Sequence, residues 1–165
     1  YFESPVRRRQ ILATPEMVAL MASHRLAGLV HEELWCALVD SQNRLIEWLC
    51  IAKGGLDHIE GMQPRDILAP ALKYNASGII LAHNHPGGSP EASNQDKAFT
   101  QRIIAAAQLL GVRFIDHLII AETKFTSMAR NATLVTPSRA CPRKNSALTE
   151  RPAFPSDSWS EETNI

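Results

Sequence analysis

The sequence predicts a mixed α/β fold in which a central mixed sheet is flanked by helices. The predicted elements follow the order α-β-β-α-β-α-β-β. Residues 78–83 form a short continuous apolar run that ends in polar residues, which is typical of a buried central strand. Two apolar stretches separated by turn residues predict a β-hairpin. The 165 residues, 45% of them hydrophobic and 21% charged, match the size and composition of one globular domain.

The first helix is predicted from residues 14–16, where Thr, Pro and Glu supply an N-cap, a first-turn proline and a first-turn acid. Gly28 is predicted to end this helix. Strands at 34–39 and 45–51 follow, and the turn-forming residues 40–43 join them. The apolar stripe of this helix is predicted to contain Met17, Leu20, Met21 and Leu26.

A second helix is predicted at 64–75, where Pro70 should kink or loosen it. A third helix follows at 93–110, and the final strands are expected at 112–121 and 125–128. The apolar positions of the third helix are Ile103, Ile104, Ala107, Leu109 and Leu110.

The composition changes near residue 135. Twelve of the thirty residues from 136 to 165 are Ser, Thr or Pro, and large apolar side chains are sparse. Such a segment buries too little surface to offset the entropy of ordering it. We therefore predict a folded domain at 1–134 and a disordered or loosely attached tail at 135–165.

The cysteines and the hydropathy of the sequence indicate the cellular compartment in which the protein is expected. No run of about 18 apolar residues is present, so no membrane-spanning helix is predicted. No signal-peptide pattern is visible. The three cysteines lack CxxC spacing, which favours a reducing compartment, and we predict a cytoplasmic protein. Cys36 and Cys50 lie in strand-like runs and should be buried.

The charge balance argues against a protein that mainly binds a nucleic-acid backbone. Lys plus Arg and Asp plus Glu each total 17, so the formal net charge is zero. The basic cluster at residues 7–9 is short and is more simply a solvated N-terminal segment.

The motif with the clearest chemistry is His83-Asn84-His85-Pro86, followed after six residues by Ser93-Asn94-Gln95-Asp96. In an extended segment residues i and i+2 project to the same side, so His83 and His85 can face one centre. Asp96 lies near the start of the next helix. Two imidazoles and one carboxylate form a standard catalytic zinc set that leaves a fourth position for water.

Each part of this motif has another interpretation. A His-x-His pair alone is more often two polar strand residues, and the SxxD pattern at 93–96 is also a capping box. The whole spacing at a strand-loop-helix junction favours the metal site. A general base would come from Glu32 or Glu33, only one of which can face the metal; an acid beside an apolar strand is more often a rim charge.

With these motifs in place, the segment from Leu29 to Leu134 resembles the JAMM, or MPN+, metalloprotease domain, and specifically its bacterial RadC-like branch. The resemblance implies the MPN fold, which is of the cytidine-deaminase-like type. It is carried by Glu32, by Ala82-His83-Asn84-His85-Pro86, by Ser93-Asn94-Gln95-Asp96 and by Asp116-His117-Leu118-Ile119-Ile120.

The resemblance also implies roles. Zn²⁺ would be held by His83, His85 and Asp96. Glu32 would be the catalytic acid/base, and we choose it over Glu33 because its spacing to Asp40 fits the RadC pattern. Ser93 would hydrogen-bond the oxyanion. Apart from these implied roles, we expect Asp116 and His117 either to support the site or simply to pair within a strand.

Two departures from the family pattern are visible. RadC-like sequences usually read Pro-Ser-Gly-Asp after the histidines, whereas this chain reads Pro-Gly-Gly-Ser at 86–89. This leaves the metal set intact and the shape of the loop open. Relatives often carry an N-terminal helix-hairpin-helix region of a DNA-binding type, and no comparable segment fits before Glu32.

We therefore predict a zinc-dependent hydrolase that cleaves a peptide or isopeptide bond in an unknown peptide or protein substrate. One alternative is a DNA-repair-associated protein that binds or cleaves nucleic acid, because a metal-activated water can also attack a phosphodiester. Another is an interaction module that binds metal without turnover. Exposed sheet edges would permit a homodimer, which the sequence does not decide.

Overall fold

The helices and strands follow one another in the predicted order. The computed structural model describes residues 10–54, 61–122 and 124–131. Its elements are α1 (Pro15–Leu26), β1 (Glu33–Val39), β2 (Leu45–Lys53), α2 (Pro64–Lys73), β3 (Gly78–Asn84), α3 (Asn94–Leu109), β4 (Arg113–Ala121) and β5 (Lys124–Ser127). Within this part of the chain no helix is long and apolar enough to cross a membrane.

The five strands form one mixed sheet in the order β2-β1-β3-β4-β5. β3 and β4 run parallel, and the other neighbouring strands are antiparallel. α3 provides the crossover that a parallel pair requires. β3 lies in the middle of the sheet and all seven of its residues are buried, as its apolar sequence predicted. The predicted mixed α/β class is confirmed.

Helices cover both faces of the sheet. α1 packs on one face, where Ala37 and Val39 of β1 contribute to the core. α2 and α3 pack on the opposite face, where Leu34, Cys36 and Leu38 of the same strand contribute. The two-residue period of a strand therefore decides which face each side chain reaches.

The predicted apolar stripe of α1 was wrong in part. Leu26 is buried, but Leu20 is 61% exposed. The residues that face the sheet are Val18, Ala19, Ala22 and Leu26. Residues 17–22 are all apolar, so periodicity could not identify the buried face. The small Ala19 and Ala22 side chains allow the helix to lie close to the sheet.

The end of α3 also differs from the prediction. Ile103, Ile104 and Ala107 are buried, whereas Leu109 is 88% exposed and Leu110 caps the helix at the surface. Leu109 lies about 200° around the helix from Ala107, on the solvent side. α2 contains Pro70 and ends at Lys73 instead of Asn75. Pro70 thus lies inside the helix without ending it.

Cys36 is fully buried, as predicted, but Cys50 is only partly buried because β2 is an edge strand. Two of the predictions concern segments outside the described residues: the basic cluster at 7–9 and the tail at 135–165, which contains the third cysteine. The domain boundary near residue 134 therefore stays a prediction.

Candidate metal centre

Three potential metal ligands meet where β3 ends and α3 begins. His83 is the penultimate residue of β3, and His85 follows just beyond the strand. Asp96 occupies the third position of α3, behind the N-cap Ser93. The capping box predicted by the SxxD pattern is present, because Ser93 Oγ accepts from the Asp96 amide at 3.0 Å and Asp96 Oδ2 accepts from the Ser93 amide at 2.8 Å. The cap thus turns the Asp96 carboxylate back toward the strand end.

The ligand atoms lie at spacings suited to one divalent ion. His83 Nε2 lies 2.9 Å from His85 Nε2 and 3.3 Å from Asp96 Oδ1, and His85 Nε2 lies 3.5 Å from Asp96 Oδ2. Zn–N and Zn–O bonds of about 2.0–2.2 Å in a tetrahedron separate neighbouring donor atoms by about 3.3 Å. Among the described residues, this trio is the group of His, Cys, Asp and Glu side chains that could hold a metal ion.

Both histidines direct Nε2 toward this centre because Nδ1 already has a partner. His85 Nδ1 lies 2.8 Å from the Ser89 carbonyl oxygen, which can only accept, so Nδ1 carries the proton. His83 Nδ1 lies 2.8 Å from His117 Nε2. The loop that departs from the family pattern supplies the Ser89 carbonyl, and Gly88 adopts a φ of 77° in its turn.

The charges of the cluster favour a cation. Its hydrogen bond with Asp96 raises the pKa of His85 above the ordinary value. Burial opposes ionisation of Asp96, yet the hydrogen bond from His85 outweighs it together with other contacts, and the pKa of Asp96 is lowered. Burial lowers the pKa of His83 to about 4. Asp96 is therefore a negative ligand and His83 a neutral one, whereas His85 must be deprotonated at Nε2 before it can bind a divalent metal.

Glu32 lies beside this cluster. It shares a side of the extended chain with Leu34, which faces α2 and α3, and the charges on His85 and Asp96 act on it. Its Oε2 is buried without a hydrogen-bond partner within the described residues. Burial raises the pKa of the Glu32 carboxyl. A carboxylate oxygen without a partner among the described residues, next to the potential metal ligands, is available for proton transfer.

Glu33 points to the other side and is fully engaged. Its Oε1 lies 3.0 Å from His31 Nε2 and 3.3 Å from Lys53 Nζ, and its Oε2 accepts from Trp35 Nε1 at 2.8 Å. Burial acts to raise its pKa, but these three donors outweigh burial and lower it. Of the two candidate bases, Glu32 therefore lies on the side of the cluster and Glu33 on the opposite side. This agrees with the expectation that only one of them can face the metal.

Comparison with known families agrees with this geometry. A family model described as RadC-like JAB domain matches residues 12–133, well over half of the 165 residues. The chain belongs to the RadC-like JAB domain family. The predicted resemblance is confirmed, and family and His-His-Asp cluster together fit a metal-binding, hydrolase-like domain.

In this RadC-like JAB domain the residue between the two histidines fixes the segment that carries Glu32. Asn84 is buried; its Oδ1 accepts from the Glu33 amide at 2.8 Å and its Nδ2 donates to the His31 carbonyl at 2.9 Å. These bonds hold the chain on both sides of Glu32. Sequence reasoning noted Asn84 as part of the motif but did not find this function, because the clamp depends on the antiparallel pairing of β1 with β3.

Asp116 and His117 are adjacent in β4, and their side chains lie on opposite faces of the sheet. Asp116 accepts from the Ser127 hydroxyl at 2.6 Å and the Ala129 amide at 2.9 Å, so it stabilises the turn after β5 and does not reach the cluster. His117 contacts His83 on the α3 face. Its other nitrogen lies 2.7 Å from the hydroxyl of Thr100, a contact that the sequence analysis missed. The available signal was the spacing of Thr100, four residues after Asp96 and hence on the same helix face.

Proposed function

We propose that this RadC-like JAB domain is a zinc-dependent hydrolase that cleaves a peptide or isopeptide bond. The supporting observation is the convergence of three ligand atoms beside Oε2 of Glu32, which is buried without a hydrogen-bond partner among the described residues. The ion would be held by His83, His85 and Asp96. When bound, zinc lowers the pKa of a water molecule to about 7 and polarises a carbonyl group.

The donor types favour zinc over other common ions. Two imidazole nitrogens and one carboxylate oxygen are the ligands of many catalytic zinc sites, which retain one open position. Calcium and magnesium prefer oxygen ligands almost exclusively. Two nitrogens among three donors therefore argue against both.

Glu32 would act as the proton carrier. A carboxylate with a raised pKa is a stronger base, and no donor from the described part of the chain competes for Oε2. Glu32 takes a proton from the attacking water while the carbon–oxygen bond forms at the scissile carbonyl. It then delivers that proton to the leaving nitrogen as the carbon–nitrogen bond breaks. An amine needs such a proton to depart, which is why a well-placed acid/base suits amide hydrolysis.

Ser93 would stabilise the oxyanion. Its single hydroxyl proton is directed to Asp96 Oδ2 at 2.6 Å, so donation to a substrate oxygen requires the hydroxyl to change acceptor. Ser93→Gly removes the hydroxyl yet keeps an acceptable N-cap, at a cost of a few tenths of a kcal/mol. We expect kcat to fall at least about tenfold in Ser93→Gly and to be largely retained in Ser93→Thr. Equal kcat in all three proteins would remove Ser93 from this role.

The experiment uses the full chain with added zinc and two probes: a library of proteome-derived peptides and peptides joined through a lysine ε-amine. Mass spectrometry detects newly formed amino termini and free ε-amines. We expect cleavage with zinc, none after chelation, and recovery when zinc is restored. Glu32→Gln should bind zinc and cleave at least about 10²-fold more slowly, whereas the control Glu47→Gln, at an exposed position on β2, should cleave normally.

Two results would contradict the proposal. Zinc-dependent nicking of single-stranded DNA without peptide cleavage would replace the amide substrate by a phosphodiester. Stoichiometric zinc without cleavage of any of these probes would indicate a metal-binding module without turnover.

A further inference from the structure

A row of buried hydrogen bonds lies behind the metal cluster. His83 Nδ1 lies 2.8 Å from His117 Nε2, His117 Nδ1 lies 2.7 Å from Thr100 Oγ1, and the Thr100 hydroxyl donates to the Asp96 carbonyl at 2.6 Å. All four residues are buried. The row begins on one candidate ligand residue and ends on another.

When His117 is neutral, the direction of every bond in this row follows from its last member. The Asp96 carbonyl oxygen can only accept, so the Thr100 hydroxyl uses its one proton there. Thr100 Oγ1 must then accept from His117 Nδ1–H. A neutral His117 with its proton on Nδ1 presents a lone pair at Nε2, which accepts from His83 Nδ1–H. His83 is left with its lone pair on Nε2.

We propose that Thr100 and His117 are positioning residues that fix the tautomer and ring orientation of His83, so that Nε2 faces the metal as a free ligand atom. This inference rests on the proposed metal site and adds two residues that touch neither metal nor substrate. Metal-binding histidines commonly donate their other ring nitrogen to a carboxylate, a carbonyl or water. Here the imidazole of His117, which is oriented by Thr100, accepts the hydrogen bond from His83 Nδ1–H.

A purely structural role would make a different prediction. His117 also packs against Phe99, with ring centroids 6.4 Å apart, and Thr100 Oγ1 lies 3.8 Å from Met128 Sδ. If packing alone mattered, Thr100→Val would be a harmless change of nearly equal shape. In our account the loss of the hydroxyl removes the acceptor for His117 Nδ1–H. The His117 proton can then move to Nε2, which forces the His83 proton onto its ligand atom.

The test compares the wild type with Thr100→Val and the matched control Thr100→Ser, which keeps the hydroxyl. Zinc affinity is measured by competition with a chromophoric chelator. The histidine tautomers are read from long-range ¹H–¹⁵N NMR spectra of the full chain, with and without zinc. We expect wild type and Thr100→Ser to show Nδ1–H on both His83 and His117. Thr100→Val should bind zinc at least about tenfold more weakly and show a changed or mixed tautomer at His117.

A variant at His117 provides a second arm. His117→Gln can accept from His83 Nδ1–H through its amide oxygen, whereas His117→Leu cannot. We expect His117→Gln to bind zinc more tightly than His117→Leu. Unchanged zinc affinity and unchanged tautomers in Thr100→Val would overturn the proposal, even if His117→Leu did not fold.

The two proposals can fail separately. Wild type with the expected tautomers but without zinc binding would contradict the metal site and leave the hydrogen-bonded row intact. Tight zinc binding that is insensitive to Thr100→Val would contradict the positioning role alone.

Discussion

Glu32 and Glu33 are adjacent in the chain, yet they lie in opposite surroundings. Glu33 receives hydrogen bonds or ion pairs from His31, Trp35 and Lys53, and its pKa is lowered. Glu32 has a buried oxygen without a partner in the described structure, and burial raises its pKa. Extended geometry alone sends the two side chains to opposite sides of the sheet.

The difference separates a carboxylate whose oxygens are hydrogen-bonded from one whose buried oxygen has no donor among the described residues. The donors around Glu33 satisfy both of its oxygens, so its ionised form contributes to folding. Glu32 is held in a partly desolvated position, which is unfavourable unless something else compensates. Such an unsatisfied group beside a metal-type cluster is a common feature of active sites.

The largest expected contrast between the two acids is in turnover. Glu32→Gln should lower kcat about 10²- to 10⁴-fold because the proton carrier is lost, while zinc stays bound. Glu33→Gln, assayed where it is fully folded, should stay within a few-fold of wild type. Initial rates on a cleaved peptide, with zinc content measured on the same samples, make the comparison. Equal losses in the two variants would remove the distinction between the acids.

The next largest effect concerns the clamp that holds Glu32. Asn84→Leu removes the acceptor for the Glu33 amide and the donor to the His31 carbonyl. A base displaced by about 1 Å can lose about 10²-fold in rate, so we expect a fall of that order in kcat. Zinc stoichiometry should be retained, because neither lost bond involves a ligand side chain. A variant with normal kcat would show that Glu32 is positioned by other contacts.

The two variants should rank in the opposite order for stability: Glu33→Gln should be the less stable one, although Glu32→Gln is the less active one. An amide at position 33 offers one acceptor oxygen where the carboxylate offers two, and its NH₂ group then faces a donor. We expect Glu33→Gln to lower the free energy of unfolding by about 1–3 kcal/mol. Glu32→Gln should leave it unchanged or raise it slightly. Urea denaturation of the zinc-free chains measures both, and a reversed order would contradict the assignment.

The smallest effect is the pH dependence of these differences. The lowered pKa of Glu33 gives a stabilisation that is present above the unfolded value of about 4.3 and is lost as pH falls through the folded pKa. The raised pKa of Glu32 acts oppositely, because its contribution is present below that value and is lost as pH rises through the folded pKa. In acid, the wild type should lose the stability that it has relative to Glu33→Gln. Toward neutral pH, the wild type should become less stable relative to Glu32→Gln. Parallel stability curves for the two variants would refute this sign difference.

Local signals in the sequence predicted most of the fold. Thr14 caps α1, Asp40 accepts from the Gln42 and Arg44 amides in the hairpin turn, and the apolar run of β3 forms the central strand. Each feature depends on residues close together in the chain. The buried face of α1 was predicted only in part, because residues 17–22 are all apolar and only contact with the sheet selects Val18 and Ala22.

The candidate site was predictable to a similar depth. His83, His85, Ser93 and Asp96 share one strand-loop-helix junction, so spacing indicated their cluster. Contacts between distant strands carried no comparable signal. The hydrogen bond from His83 to His117 spans 34 residues and the clamp from Asn84 to Glu33 spans 51. Both depend on the register between strands that are distant in the chain, and the local sequence pattern does not specify that register.

Metal content tests the central claim most directly. The full chain, purified after expression with ample zinc, is analysed by inductively coupled plasma mass spectrometry together with His85→Ala and the control His24→Ala, at an exposed position on α1. The account predicts about one zinc per chain in wild type and His24→Ala and a large loss in His85→Ala. Wild type without bound metal, or His85→Ala with a full complement, would contradict it.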